Sequence, residues 1–475
     1  MAGASTFVIC LLLQLTSFGL AHARNELHNH PGVVRPEDAA LDTTQDEFYN
    51  KPSYADLHRR SGTMIAHIGL MVIAWFFILP LVVMFSIAKS RLALPVNLAF
   101  FIINSLGVIV GTIYNAITPD LYEHNAHHSI GWIATWIATT WLVLSFKSSS
   151  RLLRASKIMV GVIDRAILIL GFVALLTGGV TYVGIFRGNH VFNGLAHFIK
   201  GSIFFWYGLL TLGRWTGCFA DVGWAWNVNL TPSRIRLARW AVACPSAEFV
   251  ESFLIFLYGT TNVFLEHLAN WGGAWTAQDL EHVSISIMFF GGGLCGMLAE
   301  SNTIRTWLNT TARSYSARNE AIGTPTKTHK VYTNPVPALI IFLLGIMMSS
   351  HHQDSMTSTK VHKQWGLLLS GSAVMRVLTY LVIHISPPTS IYPSRPPFEL
   401  LSSFCLISGG IVFMASSQDI VHCMELNDLM PMFIFTIAVG LTAFVMAWEI
   451  LVLSLKGWAV RREAGETSRA DTPRY

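Results

Sequence analysis

The sequence predicts an all-α polytopic membrane protein. About eleven transmembrane helices follow a cleavable signal peptide, with the N-terminus outside (lumenal) and the C-terminus cytosolic. Three observations carry this. Of the 475 residues, 52% are hydrophobic and only 12% charged, about half the charged share of a soluble domain, and the mean hydropathy is +0.48. Eleven apolar runs follow one another, each long enough to cross about 30 Å of hydrocarbon. The basic residues between them collect on alternate loops, as the positive-inside rule requires.

Residues 1–23 are apolar and end in Ala21-His22-Ala23, a small-residue cleavage pattern, so they read as a signal peptide, although the n-region lacks a positive charge. Residues 24–62 form a polar lumenal segment. The apolar runs then fall at 63–88, 95–117, 129–146, 160–186, 195–213, 246–268, 282–300, 336–352, 365–384, 398–417 and 430–455. With the N-terminus outside, the inner loops hold Lys89 and Arg91, then Lys147, Arg151, Arg154 and Lys157, then Arg214, Arg234, Arg236 and Arg239. The later inner loops and the tail add Arg305, Arg313, Arg318, Lys327, Lys330, Arg395, Lys456, Arg461 and Arg462; the short outer loops hold only Arg187, Lys200, Lys360 and Lys363. Both glycosylation sequons, at Asn229 and Asn309, fall inside and are expected to stay unmodified.

The linear order suggests a five-helix membrane domain over 63–213, a Trp-rich cytosolic linker over 214–245, a six-helix membrane domain over 246–455 and a cytosolic tail over 456–475. The six cysteines show no paired spacing and are expected to be packing residues rather than a disulfide framework. Nothing in the charge pattern points to nucleic acid. The expected setting is a membrane of the secretory pathway: endomembrane, vacuolar or plasma membrane.

Histidine distribution is the strongest functional signal. Of eighteen histidines, only His329 and His384 fall inside. His67 and His197 lie a turn inside apolar spans, where a polar group is costly unless partnered. Two clusters emerge on the outer side. His67, His127, His128 and His197 lie at the tops of the first, third and fifth spans. Two neutral imidazoles facing across a helix bundle form an axial site for one haem b, and hydrogen-bonded interfacial histidines are the alternative. His267, His282, His351, His352 and His362 lie at helix ends with Glu281 and Asp419 nearby in sequence pattern. Imidazole mixed with carboxylate suits Zn, Fe or Cu; a solvated or proton-sensing face is the alternative. Within the spans, Glu248, Glu251, Arg376 and Glu449 need partners, and glycines 291–293 permit close helix approach.

The run His67-Ile-Gly-Leu-Met-Val-Ile-Ala-Trp75-Phe-Phe-Ile-Leu-Pro80 and the run His127-His-Ser-Ile-Gly131 resemble the haem-ligating helices of the cytochrome b-561 family. The whole chain resembles the fungal Ytp-type transmembrane proteins, which join a b-561-like N-terminal half to a characteristic C-terminal membrane domain. Gly213–Asn227, Pro245–Phe253, Phe264–Asn270 and Glu281–Gly296 carry that resemblance. It implies that His67 and His127 match the first and third b-561 ligands, with His128 able to replace His127 and His197 as a fourth. It also implies a link to electron transport. The second and fourth spans contain no histidine, so an inner-leaflet haem pair is not expected. Three functions remain open: an outer-face haem redox protein with a redox partner, a metal-binding or metal-handling membrane protein, and a cofactor-free scaffold or pH sensor. No nucleophile, phosphate loop or dinucleotide motif supports a classical enzyme.

Overall fold

A computed structural model describes residues 51–57, 60–146, 152–220, 223–226, 244–266, 275, 277–309, 333–351, 353, 355–387 and 393–470. The signal peptide, most of the polar N-terminal segment, His267 and His352 lie outside the described residues. Everything regular among those residues is helical: α1 Ser61–Ile87, α2 Ala93–Ile117, α3 Ala126–Phe146, α4 Leu152–Val183, α5 His190–Thr216, α6 Ala247–Glu266, α7 Ala277–Glu300, α8 Asn302–Asn309, α9 Val336–Ser350, α10 Met356–Ile385, α11 Pro397–Ala415, α12 Gln418–Leu426 and α13 Pro431–Ala470. Each apolar run forms a helix. Nine helices among the described residues are long and apolar enough to cross a membrane. The remaining two runs differ for visible reasons: α9 has 15 residues, and α6 carries Glu248 and Glu251 in its first two turns.

Local chemistry explains several boundaries. The Ser355 hydroxyl accepts from the Ser358 N–H at the start of α10, a standard N-cap that satisfies an otherwise orphaned donor. Pro337 and Pro397 sit in the first turns of α9 and α11, where a missing N–H costs nothing. In α1 the helix widens to π-helical geometry over Val72–Ile78, and the Leu79 N–H reaches back to the Ala74 carbonyl. Pro80 follows directly and cannot donate to Phe76, so the ladder is already interrupted at this point.

The helices group into two compact units, Met1–Val191 with Gln418–Tyr475, and Phe192–Ser417. This differs from the linear division, which puts α5 in the N-terminal domain and α13 in the C-terminal one. Phe444 and Trp448 of α13 pack against Phe76 of α1, with ring centres 6.1 and 6.2 Å apart. Near the far end of α13, Glu463 accepts from the Ser90 hydroxyl and the Arg91 N–H. These contacts tie the last long helix to the first.

In the second unit, α6 and α7 approach through glycine. A Cβ on Gly293 would fall 2.3 Å from the Phe256 backbone nitrogen, and one on Gly292 would meet the Ile340 side chain at the same distance; Gly291 faces open space. The close approach expected of this triplet is thus made by two of its three members. The five cysteines beyond the N-terminal segment are all unpaired thiols; Cys295 is exposed on its helix, and the other four are half-buried rather than fully packed.

Candidate functional site

The first unit encloses a cavity of about 610 Å³ among α1–α4, lined by His67, Met71, Trp75, Asn104, Gly111, His127, His128, Ala174 and Gly178, among others. A pocket of this size falls within the range that takes an organic cofactor. His67 comes from the second turn of α1 and His127 from the first turn of α3. Their ring centres are 6.3 Å apart, with planes inclined at 71°.

Both rings are held in the same way. His67 Nδ1 lies 2.8 Å from the Gly107 carbonyl of α2. His127 Nδ1 lies 3.1 Å from the Ala174 carbonyl of α4. A carbonyl only accepts, so Nδ1 carries the hydrogen in each case, and Nε2 is left with its lone pair. One turn beyond each carbonyl stands a glycine on the same helix face. A Cβ on Gly111 would fall 2.7 Å from His67 Nδ1 and Cε1, and one on Gly178 would fall 3.0 Å from His127 Cε1. Any larger residue would drive the ring out of place. Carbonyl at one position and glycine four residues on is therefore a repeated device in α2 and α4 that orients two imidazoles toward a shared space.

The spacing has chemical content. A metal ion bound at about 2 Å by one nitrogen of each of two imidazoles holds the ring centres roughly 6 Å apart. Ligating histidines typically donate their other ring N–H to a carbonyl or carboxylate, which is the arrangement both rings have here. Below them Trp75 donates to Asn104 Oδ1 at 2.8 Å. Deeper still, Asp164 accepts from Trp141 Nε1 at 3.0 Å and from the Ser86 hydroxyl at 2.9 Å. These pairs satisfy polar groups inside the unit without filling the cavity.

The other residues singled out from the sequence are distributed differently. His128 lines the same cavity but is exposed. His197 belongs to the second unit, where its ring centre lies 5.9 Å from that of His362; each bonds through Nδ1 to a carbonyl one turn back on its own helix, Asn193 or Ser358. His351 Nδ1 lies 3.1 Å from Glu281, and the carbonyl of His282 accepts from the Ser286 hydroxyl. Among the described residues, no group of three or more His, Cys, Asp or Glu side chains is arranged to hold a metal ion. Asp419, sited near the C-terminal cluster by sequence pattern, instead belongs to the first unit, where it lies 2.6 Å from His190 Nδ1 and accepts from the Phe186 N–H. In the same region burial pushes the Cys423 thiol up to about 12.

Two charged residues also differ from expectation. Arg214 reads as an inner-loop cation, yet it is 3% exposed and paired inside the second unit with Glu248 and Glu251. Arg376 pairs with Glu251 and Glu399. Glu449, the other intramembrane carboxyl considered beside it, lies in the first unit and has no hydrogen-bond partner among the described residues. Sequence reading missed Gly111 and Gly178, although their glycine identity one turn beyond a carbonyl in an apolar span was visible. It missed Glu399 because a glutamate two residues after Pro397 looks like an ordinary first-turn acid.

The fold and its apolar surface define a multi-pass integral membrane protein of helical class. Residues 170–457 match the family model described as "Protein YTP1-like, C-terminal", and the chain belongs to this family. Residues 48–149 match a second model, a domain of unknown function (DUF2427). An uncharacterized membrane protein of Schizosaccharomyces pombe is 35% identical over 84% of this chain and 94% of its own length. An uncharacterized membrane protein of Saccharomyces cerevisiae is 44% identical over 61% of this chain and 46% of its own length. The protein YTP1 of the same yeast is 27% identical over 52% of this chain and 44% of its own length. No solved structure matches.

Proposed function

We propose that the protein is a membrane redox protein carrying one b-type haem between His67 and His127, exchanging single electrons with a partner at the outer face. One observation carries the reading: two histidines 6.3 Å apart, each with Nδ1 committed to a backbone carbonyl and each backed by a glycine. Interfacial histidines that serve only to satisfy hydrogen bonds need neither the matched spacing nor the cleared cavity. The resemblance of α1 and α3 to the ligating helices of the b-561 family supports the same pair.

When bound, a haem of this kind supplies a one-electron couple whose potential follows from its two imidazole ligands and the polarity around it. The chain's own part is to hold the two rings at a fixed distance, to keep Nε2 deprotonated through the Nδ1 bonds, and to surround the group with apolar side chains such as Met71 and Val108. α2 and α4 contain no histidine, so in these four helices His67 and His127 are the residues that would hold the group.

An absorption spectrum of the purified full chain tests this. Reduced-minus-oxidised difference bands of b type are expected, lost in both H67A and H127A and kept in H128A. A folded, haem-supplemented wild-type protein without such bands overturns the reading and leaves the cofactor-free alternative.

A further inference from the structure

The second unit holds five charged side chains in one connected network, independent of the histidine site. Arg214 of α5 donates through Nη2 to Glu248 Oε1 at 3.0 Å and through Nη1 to Glu251 Oε1 at 2.9 Å. Arg376 of α10 donates through Nη1 to the same Glu251 oxygen at 3.1 Å and through Nη2 to the Tyr207 hydroxyl oxygen at 3.3 Å. Arg376 Nε lies 2.7 Å from Glu399 Oε1 of α11. The Trp226 ring lies under both guanidiniums, 4.6 Å from Arg214 and 5.5 Å from Arg376. All five charged side chains are buried.

The charges do not balance if every group is ionised. Guanidinium stays protonated at any physiological pH, so the network holds two positive charges against three carboxyl groups. An uncompensated charge sealed among membrane helices is costly. One carboxyl therefore carries a proton, and the contacts distinguish the three. Glu251 accepts from both guanidiniums. Glu248 accepts an aligned hydrogen bond from Arg214. Glu399 meets one guanidinium, through a close Arg376 Nε contact that is not aligned as a hydrogen bond, and neither of its oxygens has a hydrogen-bond partner of ordinary geometry. Glu399 is also fully buried, at 0% exposure, whereas Glu248 and Glu251 keep 6% and 7%. The charged groups facing it are Arg376, Arg214 and Glu251, with Thr379 beside it.

We propose that Glu399 is a membrane-embedded proton-binding site, protonated at neutral pH, whose proton makes the two-arginine, three-glutamate network electroneutral. The proton comes from water and resides on the carboxyl, adding no other bond. Its loss would give Arg376 a second full anion to serve beside Glu251. The guanidinium would then be drawn from one carboxylate toward the other. A fixed cation shared between a permanent and a protonatable carboxylate gives the unit two charge states, the arrangement from which proton relays and proton-coupled movements in membrane proteins are built.

Infrared spectra of the detergent-purified full chain in acid and alkaline buffer read the proton directly. A protonated-carboxyl C=O band is expected in E449Q, which removes the other buried, unpartnered carboxyl and any band of its own, and it should be missing from the double variant E399Q/E449Q. As a neutral isostere of the protonated acid, E399Q should also keep the thermal midpoint and monodispersity of the wild type, whereas E251Q, which removes a charge held by two guanidiniums, should lose both. Four results each overturn the proposal: no such band in E449Q, a band unchanged when E399Q is added to E449Q, a band lost when E248Q is added instead, or an E399Q protein as damaged as E251Q. A band removed by sodium at constant pH overturns it as well, by making the site one for a metal cation.

Discussion

The two units solve opposite problems with the same material. The first keeps room between its helices around its polar site: two imidazoles anchored through Nδ1, a cavity of about 610 Å³, and glycines whose missing side chains preserve both. The second fills its interior with charge and brings its helices together. A Cβ on Gly345 of α9 would fall 2.4 Å from the Gly366 carbonyl of α10, and one on Gly366 would fall 2.6 Å from the Gly345 carbonyl. Glycine thus clears a space beside a functional ring in one unit and lets two backbones touch in the other. The same residue type in an apolar span cannot be assigned a role until its neighbour is known.

That contrast can be broken experimentally, most sharply at the histidine site. Replacing Gly178 by leucine puts side-chain atoms where the His127 ring sits; haem content should fall at least to the level of H127A, while the thermal midpoint changes little because the leucine enters a cavity. Retained haem in G178L would show that the glycine is not clearing the ring. In the second unit the largest effect should come from E251A, which leaves two buried guanidiniums without their shared oxygen. Breaking a buried pair in this way costs about 3–5 kcal/mol, read as loss of monodisperse protein in detergent. A smaller loss, about 1–3 kcal/mol for overpacking, is expected for G345L, against near-neutral behaviour for G291L, whose Cβ meets nothing within 4 Å. Smallest is N104L, which removes the acceptor of Trp75 Nε1 and should cost roughly 1 kcal/mol, with a small shift of any haem band because Trp75 lines the cavity. Equal damage from G345L and G291L would show that the close approach at Gly345 does not hold α9 against α10.

Topology offers a separate check. Glycosidase treatment should leave the mobility of the full chain unchanged, because Asn229 and Asn309 are both expected on the cytosolic side. A mass shift would reverse the orientation on which the outer-face assignment of His67 and His127 depends.

Much of the architecture was legible in the sequence because hydropathy is local. Each apolar run became a helix, and the fifteen-residue length of α9 followed from the short run between Pro335 and His351. His67 and His127 were legible as a pair for a similar reason: polar groups near the starts of odd-numbered spans lie at one depth. His128 was not separable from its neighbour in the sequence. One residue turns a side chain by about 100° around a helix, and only the packing of α3 against α4 decides which ring meets the Ala174 carbonyl. His197 shares that depth too, but its ring lies against His362 and Phe413, contacts for which no linear pattern exists.

By itself, then, the sequence determined the helices and their membrane character and narrowed the histidines to a small set at one depth, since these depend on side-chain polarity and on spacing along one helix. The tertiary structure decided which helices share an interior: α13 with α1, and α5 with α10 and α11. It alone drew Arg214, Arg376 and three glutamates from four helices into one network. The reason is energetic. A charge in an apolar span announces in sequence that it must be compensated, but the compensating group can stand on any other helix, and only packing selects it.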